Sequence, residues 1–256
     1  MNFLIAASAS VGGYLLGSLS PARAVTALFG RGARVPRETI VGIEGTDRHI
    51  TMRTVSATSV SRNVGPRFGF LTYVLDVLKV FVPVLVLKRL WPDGHYHLMA
   101  ATTGVAGHIW PLYHRFRGGR GVSAIYGGVF AIDWIGVFIN AFAGMILGFF
   151  VLRDVYLSYI AGLWILVPWL WWRTGDPWTG LYAAVVASLC VISSIPEARE
   201  YYRARREDPV WADPAQAWRL SAMGRGIIRA ATRFGLVKPR PRGENGDATG
   251  GPPSRS

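Results

Sequence analysis

Long apolar segments separated by short polar breaks make up most of this 256-residue sequence. Only 17% of the residues are charged, whereas about a quarter are charged in an average soluble protein. Apolar runs of this length are typical of helices that cross a bilayer. The sequence therefore predicts an all-α, polytopic integral membrane helix bundle.

Seven apolar segments are predicted to be spans, and five is the alternative count. The first has no Lys or Arg before Arg23, so it lacks the positive start of a secretory signal. We expect it to be a retained span with its N-terminus outside. The seven segments cover approximately residues 3–19, 68–90, 98–113, 121–132, 134–152, 156–171 and 178–195.

The net charge of +13 is unevenly distributed. Its Lys and Arg residues cluster in 31–67, in 115–120 and after Pro196. Basic residues beside spans mark the cytoplasmic side, and an odd number of spans places all three clusters there. We expect a multi-pass protein of the bacterial inner membrane with a cytoplasmic C-terminal tail. No basic soluble domain is present to bind nucleic acid.

The predicted organisation has three parts: a multi-span domain over residues 1–196, basic amphipathic helices over 197–236 and a disordered tail over 237–256. Within the first part, the alternating residues 38–55 around Gly45 predict a short hairpin. In the second, a helix beginning near Asp213 is expected to lie on an anionic membrane surface or to pack against the bundle. Cys190 is the single cysteine, which excludes disulfides and cysteine-based metal sites.

A cationic, glycine-rich loop, "HRFRGGRG", separates two of the apolar segments. Glycines let backbone amides converge on an anion, and a helix that begins at Gly121 would add its positive end. Arg117 and Arg120 could donate paired hydrogen bonds to phosphate oxygens. The loop is therefore a candidate phosphate site, formed with Gly118 and Gly119. The alternative is a tight turn with ordinary cytoplasmic arginines.

The stretch "GHIWPLYHRFRGGRGVS" resembles the glycine-rich motif of the PlsY family, acyl-phosphate:glycerol-3-phosphate acyltransferases, whose pattern is close to G-H-x-x-P-x-F-x-x-F-K-G-G-K-G-V. "YLLGSLSP" at 14–21 and "LDVLK" at 75–79 resemble the family's first two spans. The residues of the glycine motif that match in register are Gly107, His108, Pro111, Phe116, Gly118, Gly119, Gly121 and Val122.

The resemblance implies transfer of an acyl group from acyl phosphate to glycerol 3-phosphate, which gives lysophosphatidic acid for phospholipid synthesis. Because acyl phosphate is already activated, the site has to bind two phosphates, orient a hydroxyl and stabilise the leaving phosphate. The implied partners are the two substrates and membrane lipids. No cofactor or metal is implied.

Two other motifs of the family are degenerate in this chain. In register with the first, Arg62 takes the place of an arginine, Ser59 that of an asparagine and Ser56 that of a glycine. The resemblance makes Arg62 and Ser59 catalytic candidates, and Ser56 and Thr58 candidates for orienting the glycerol hydroxyl. The third motif contains a histidine, and this chain has no histidine after His114.

Asp76 and Lys79 lie three residues apart within a predicted span, and charges at such depth usually face a partner or a polar cavity. They either form a mutual ion pair or line the phosphate site. His108 is either a packing group or a catalytic base, and Asp76 is the other candidate base.

Two other functions remain open from the sequence. A catalytically silent relative could use the loop to bind lipid phosphates, and a small anion transporter could use Asp76, Lys79 and His108 as a path. The sequence does not determine the acyl-chain preference or the oligomeric state.

Overall fold

The computed structural model describes residues 2–30, 39–42, 49–52, 55–152, 154–207, 232–233 and 235. The chain forms two compact units, Met1–Ala212 and Asp213–Ser256. Almost all of the second unit, including most of the helix predicted from Asp213 and the whole tail at 237–256, lies outside the described residues. The α-helices of the first unit are α1 (Phe3–Gly17), α2 (Pro21–Phe29), α3 (Ala57–Asn63), α4 (Pro66–Leu90), α5 (Tyr96–Ile109), α6 (Val122–Ile132), α7 (Trp134–Ile146), α8 (Val155–Thr174) and α9 (Pro177–Glu207).

The first apolar segment is interrupted where the sequence predicts. Helix α1 ends at Gly17, and Pro21 occupies the first turn of α2, where its missing N–H costs no hydrogen bond. The interruption exposes backbone carbonyls within the bundle. One of them, on Leu19, accepts a hydrogen bond of 2.7 Å from the Lys79 ammonium. A helix end inside a membrane domain is thereby satisfied by a side chain from a neighbouring helix.

The predicted hairpin is present as two short antiparallel strands, β1 (Thr39–Gly42) and β2 (His49–Met52). Thr39 pairs with Met52 and Gly42 with His49. The segment between the strands, which contains Gly45, lies outside the described residues. Apart from this hairpin, the described part of the first unit is helical, with a 3-10 turn at Leu112–His114 and a π-helical segment at Leu147–Leu152.

Contacts between helix ends define two ends of the bundle. At the first, which we call the loop end, Ser193 of α9 donates to the carbonyl of Arg120 in the glycine-rich loop (3.1 Å). At the opposite end, the Asn2 amide donates to the Tyr96 hydroxyl (2.6 Å), so α1 and α5 begin side by side. The Lys88 ammonium there bonds the carbonyl of Ile132 at the end of α6 (2.9 Å).

These contacts give the helices alternating directions. Helices α1, α5 and α9 run toward the loop end, whereas α4 and α6 run away from it. Within the described residues, three segments are long and apolar enough to cross a bilayer: Phe3–Phe29, Pro66–Leu90 and Pro177–Arg203. Helix α6 has 11 residues and is therefore about 16 Å long, roughly half the thickness of a bilayer core. The count of seven spans, or five, stays a prediction.

The core lies where α4, α5, α6, α8 and α9 meet. Small and branched residues dominate it, which lets helices without a large apolar driving force approach closely. Many large apolar side chains point outward instead, including Phe3, Phe70 and Trp172, each at least 70% exposed, as expected of a surface that faces lipid. The fully buried core residues include Val84, Ala101, Val105, Ala124, Ile125, Val129 and Leu170.

The predicted boundary at Pro196 falls inside α9 and needs correction. The helix continues through this proline to Glu207, and the first compact unit extends to Ala212. Two contacts hold the extension in place: Arg205 pairs with Asp154, before α8, and the Tyr202 hydroxyl donates to the same carboxylate at 3.2 Å. The composition becomes more charged after Pro196, but α9 continues beyond this residue and still packs against the start of α8.

Helices α1 and α5 pack through small residues, and a methyl group added there tests this packing. In Gly13→Ala, the new Cβ would lie 2.5 Å from the Ala100 carbonyl and 2.6 Å from the Thr103 hydroxyl. We expect a loss of about 1–3 kcal/mol of stability, measured as a lower melting temperature in detergent micelles. Gly12→Ala is the matched control, because nothing lies within 4 Å of its Cβ. Equal melting temperatures for the two variants would contradict this packing.

Candidate active site

A buried ammonium group lies at the centre of the candidate site. The Lys79 ammonium lies 2.9 Å from the carboxylate of Asp76 and 2.8 Å from Nδ1 of His108, and it donates to the carbonyl of Leu19 (2.7 Å). Nδ1 of His108 also lies 3.3 Å from the Asp76 carboxylate. The side chains of Lys79, Asp76 and His108 are only 6%, 4% and 7% exposed. Of the two alternatives for Asp76 and Lys79, the structure shows the ion pair, and His108 contacts both partners.

The two ring nitrogens of His108 face different groups. Nδ1 lies 2.8 Å from the Lys79 ammonium and 3.3 Å from the Asp76 carboxylate, and the tautomer of the ring decides which of the two it bonds. The Nε2 atom faces the glycine-rich loop, because a Cβ built on Gly119 would collide with it. His108 therefore links the buried ion pair to the loop.

The glycines of the loop pack against the end of α5. The Gly119 amide donates to the carbonyl of His108 (3.1 Å), and the carbonyl of Gly118 accepts from the Val55 amide just before α3 (3.3 Å). A Cβ on Gly118 would clash with the His108 carbonyl and lie 2.7 Å from Pro111. Close backbone packing therefore requires these glycines. The predicted role of the Gly119 amide as an anion donor is corrected, because that amide is bonded within the protein.

The backbone around the loop adopts conformations that side chains rarely occupy. Arg115 and Phe116 have φ values of 54° and 58°, and Gly121 has a φ of 94°. For non-glycine residues, such conformations cost about 1–3 kcal/mol each and cluster at functional sites. Gly121 immediately precedes α6, whose first-turn amides have no acceptor within the helix. The loop therefore turns the positive end of α6 toward the loop end of the bundle.

Arg120 is held by helix α9. Its Nε lies 3.1 Å from a carboxylate oxygen of Glu197, which is 5% exposed, and its carbonyl accepts from Ser193. Arg120 was predicted to lie at the phosphate site. In the structure, the buried carboxylate of Glu197 orients its guanidinium. This role was not predicted, because the residues around Glu197 do not match the family's third motif.

Arg23 of α2 is a residue that the sequence analysis did not assign to the site. Its Nη2 donates to the carbonyl of Arg117 at 3.2 Å, and its Nε is buried without a hydrogen-bond partner among the described residues. Burial lowers the pKa of His114, and the positive charges of Arg23 and Lys79 lower it further. These cations therefore lie close enough to act together.

The α3 residues predicted for the site are less clearly placed in it. The Ser59 hydroxyl is buried, donates to the Ser56 carbonyl (2.7 Å) and accepts from the Ser56 amide (3.0 Å), so it caps the helix. Thr58 is exposed, and Arg62 is exposed in the last turn of α3. Ser56 follows Val55, which contacts the loop. The start of α3 is thus joined to the loop, whereas Arg62 lies further along the helix.

Together, these groups concentrate positive charge at the loop end of the bundle. Lys79 and His108 are buried beside the loop, Arg117 and Arg120 belong to it, and Arg23 bonds its backbone. Such a concentration of charge can bind anions, with charge-assisted hydrogen bonds to phosphate as the best match. Among the described residues, no group of three His, Cys, Asp or Glu side chains could hold a metal ion.

The fold defines a class, the helical integral membrane proteins, and here a cationic glycine-rich loop lies at one end of the bundle. Comparison with known proteins gives the family. Residues 7–202 match the family described as "Glycerol-3-phosphate acyltransferase". The chain therefore belongs to the glycerol-3-phosphate acyltransferase family, as its glycine motif predicted.

Relatives named glycerol-3-phosphate acyltransferase support this assignment. The protein of Aquifex aeolicus is 33% identical over 138 residues, which cover 49% of this chain and 64% of the relative. That of Thioalkalivibrio sulfidiphilus is 30% identical over 187 residues, covering 73% and 85%. The chain thus spans slightly less than two thirds of the first relative and most of the second.

Two solved structures share the fold. The crystal structure of PlsY in its glycerol 3-phosphate form has a TM-score of 0.64 at 23% identity, covering 78% of this chain and 93% of that one. The lysophosphatidic acid form has a TM-score of 0.61 at 25% identity, with the same coverage. Both are described as an integral membrane glycerol 3-phosphate acyltransferase.

Breaking the buried charge cluster should be costly. In Asp76→Asn, the Lys79 ammonium stays buried without its carboxylate, and we expect a loss of about 3–5 kcal/mol. The measurement is chemical or thermal unfolding in detergent. Asp93→Asn, an exposed carboxylate at the opposite end, serves as control and should leave stability unchanged. The double variant Asp76→Asn/Lys79→Gln should recover part of the loss, and no recovery would contradict the pairing.

Proposed function

We propose that this protein transfers an acyl group from acyl phosphate to a hydroxyl of glycerol 3-phosphate and so forms lysophosphatidic acid. The observation that carries the proposal is the glycine-rich loop packed on His108, with Arg117 and Arg120 in it and Arg23 bonded to its backbone. Family membership supports the reaction, and so does the solved relative's glycerol 3-phosphate form.

The chemistry of the reaction suits a site made of cations. The hydroxyl oxygen attacks the acyl carbonyl carbon, the bond from that carbon to the phosphate oxygen breaks, and an ester forms. The released phosphate takes up the hydroxyl proton. Since the leaving group is already a phosphate, no covalent enzyme intermediate is needed. The protein has to hold two anions side by side and stabilise the charge that develops between them.

The described side chains supply these requirements from three directions. Arg120, oriented by Glu197, and Arg117 donate to phosphate from the loop. Arg23 adds a guanidinium from α2, and we keep Arg62, in the last turn of α3, as a candidate from the sequence for the third direction. We assign the phosphates of donor and acceptor to these cations, with the first-turn amides of α6 as further donors.

His108 acts in this proposal as a donor to a phosphate oxygen. We assign its proton to Nε2, beside Gly119, because Nδ1 lies 2.8 Å from the Lys79 ammonium. The catalytic base predicted from the sequence is the alternative, and it corresponds to Nδ1 donating to Asp76 at 3.3 Å, which leaves the lone pair on Nε2. Asp76 and Lys79 then position this ring from below rather than contact substrate. Ser56, at the start of α3, is the hydroxyl that we assign to orienting glycerol.

We further propose that the loop end faces the cytoplasm. The charge pattern of the sequence supports this orientation, because the basic loop and the basic end of α9 lie at the same end of the bundle. Both substrates carry phosphate, and their ionic headgroups would reach this end from water while the acyl chain stays in the bilayer.

A catalytically silent relative is the second candidate. The observation that favours it is the capped hydroxyl of Ser59, which replaces a family asparagine and already bonds to Ser56. Such a protein would bind phosphate ligands without turnover. Calorimetric titration with glycerol 3-phosphate, combined with an acyltransferase assay, separates the two candidates.

Turnover should depend on the loop. With purified protein and acyl phosphate, we expect Arg120→Ala to lower kcat/KM by about 100-fold or more, as for loss of a preorganised charged donor. Gly119→Ala should be comparably impaired, because its methyl group would displace His108. The measurement is release of inorganic phosphate in the presence of glycerol 3-phosphate.

Two variants control this experiment. Arg120→Ala removes the guanidinium that pairs with the buried Glu197 carboxylate, so Arg120→Ala/Glu197→Gln separates the loss of the donor from the loss of stability. Arg89→Ala removes an exposed cation at the end of α4, opposite the loop, and should keep full activity. Equal turnover in wild type, Arg120→Ala and Gly119→Ala would remove the assigned site.

Arg23 should contribute to substrate affinity. Arg23→Gln removes one charged donor beside the loop, and a charged hydrogen bond contributes about 1.5–3 kcal/mol. We therefore expect the KM for glycerol 3-phosphate or for acyl phosphate to rise about tenfold or more, measured by steady-state kinetics. Arg23→Lys keeps the charge and should recover part of the affinity. Unchanged KM values for both substrates in Arg23→Gln would exclude this residue from the site.

A further inference from the structure

The outward face of α9 changes from apolar to basic as the helix reaches the loop end. Residues at intervals of three or four share one face of a helix, and here they are Ile192, Ile195, Arg199, Arg203 and Arg206. The two isoleucines are 53% and 39% exposed, as expected of side chains that face lipid. The three arginines are also exposed. A lipid-facing stripe thus continues directly into a cationic one.

A groove of about 530 Å³ lies on this face. Aliphatic groups, an aromatic ring and guanidiniums line it together. The residues that line it are Ile195, Ala198, Arg199, Tyr202, Arg203 and Arg206.

The charges of the groove are not neutralised by ion pairs in the described part of the chain. Arg205, on a different face of α9, pairs with Asp154, but no described carboxylate forms a salt bridge with Arg199, Arg203 or Arg206. Glu200, in the same stretch of α9, could offset one of these three positive charges at most. The groove therefore keeps a net positive charge and fits an anion.

The depth of the groove identifies the kind of anion. Helix α9 carries no charged residue from Pro177 to Ile195, and its charged residues begin at Glu197, so the groove lies where hydrocarbon gives way to headgroups. Arginines at this depth extend toward the interface while their methylenes stay against apolar groups. The hydroxyl of Tyr202 bonds to Asp154, and its ring lines the groove, as is typical of an interfacial aromatic residue.

We propose that this groove binds the headgroup of an anionic phospholipid in the leaflet at the loop end. The phosphate would accept paired hydrogen bonds from two arginines, and an acyl chain would continue along Ile195 and Ile192. A free phosphate would gain only the first of these contacts. The inference needs the chain to be membrane-embedded but does not depend on the proposed acyl transfer, since the groove lies on the outward face of α9.

Lipid titration of the full-length protein tests this proposal. Wild type and Arg199→Gln/Arg203→Gln, in micelles of a neutral detergent, are titrated with dioctanoyl phosphatidylglycerol and, separately, with dioctanoyl phosphatidylcholine. We expect the double variant to bind the anionic lipid about tenfold or more weakly, with unchanged affinity for the zwitterionic lipid. Native mass spectrometry reports the lipid-bound fraction directly and does not require catalytic activity.

A charge-matched control is Arg67→Gln/Arg89→Gln, which removes two exposed cations from the ends of α4. It should retain wild-type affinity for phosphatidylglycerol, and Arg199→Lys/Arg203→Lys should retain part of it. The proposal is overturned if the groove variant binds like wild type or if the α4 control loses affinity equally. It is also overturned if inorganic phosphate displaces the lipid at an equal concentration, because the groove would then be a site for free anions.

Discussion

The coordination of one buried ammonium underlies the arrangement of this site. Lys79 contacts the Asp76 carboxylate, the His108 ring and the carbonyl left open at Leu19 by the interruption between α1 and α2. A charge at this depth is tolerated only when polar partners surround it, and here three elements supply them. The same contacts therefore join α2, α4 and α5, fix the orientation of His108 and place its second nitrogen against the glycine-rich loop.

The loop depends in turn on His108. Gly118 and Gly119 approach the end of α5 so closely that a side chain at either position would collide with it. The motif therefore combines two requirements, since its glycines are needed for packing and its arginines carry the charge. The packing of the glycines therefore anchors the arginine-bearing loop beside the buried Lys79 and His108. Because the Gly119 amide is bonded to the carbonyl of His108, the donors that we propose for anions are the amides at the start of α6 and the arginine side chains.

How far the sequence could predict this protein differs from one element to another. The helix break at Pro21, the hairpin, the turn at Asp133 and the glycine motif follow from local signals, because proline, glycine and alternating residues act on their own backbone. The ion pair of Asp76 and Lys79 follows from their spacing. Arg23 and Glu197 could not be assigned, since they meet the loop across 94 and 77 residues and nothing in their own neighbourhood marks that contact.

The sequence alone determined that this chain forms a helical membrane bundle and that it resembles an acyltransferase family, because hydrophobicity and a motif of contiguous residues are properties of the chain itself. Only the tertiary structure decided which nitrogen of His108 faces the loop, which carboxylate orients Arg120, and that α9 continues past Pro196 as part of the bundle. These features depend on distances between helices that are remote in sequence. Such distances are set by packing, where a single added methyl group at Gly13 or Gly119 is enough to cause a clash.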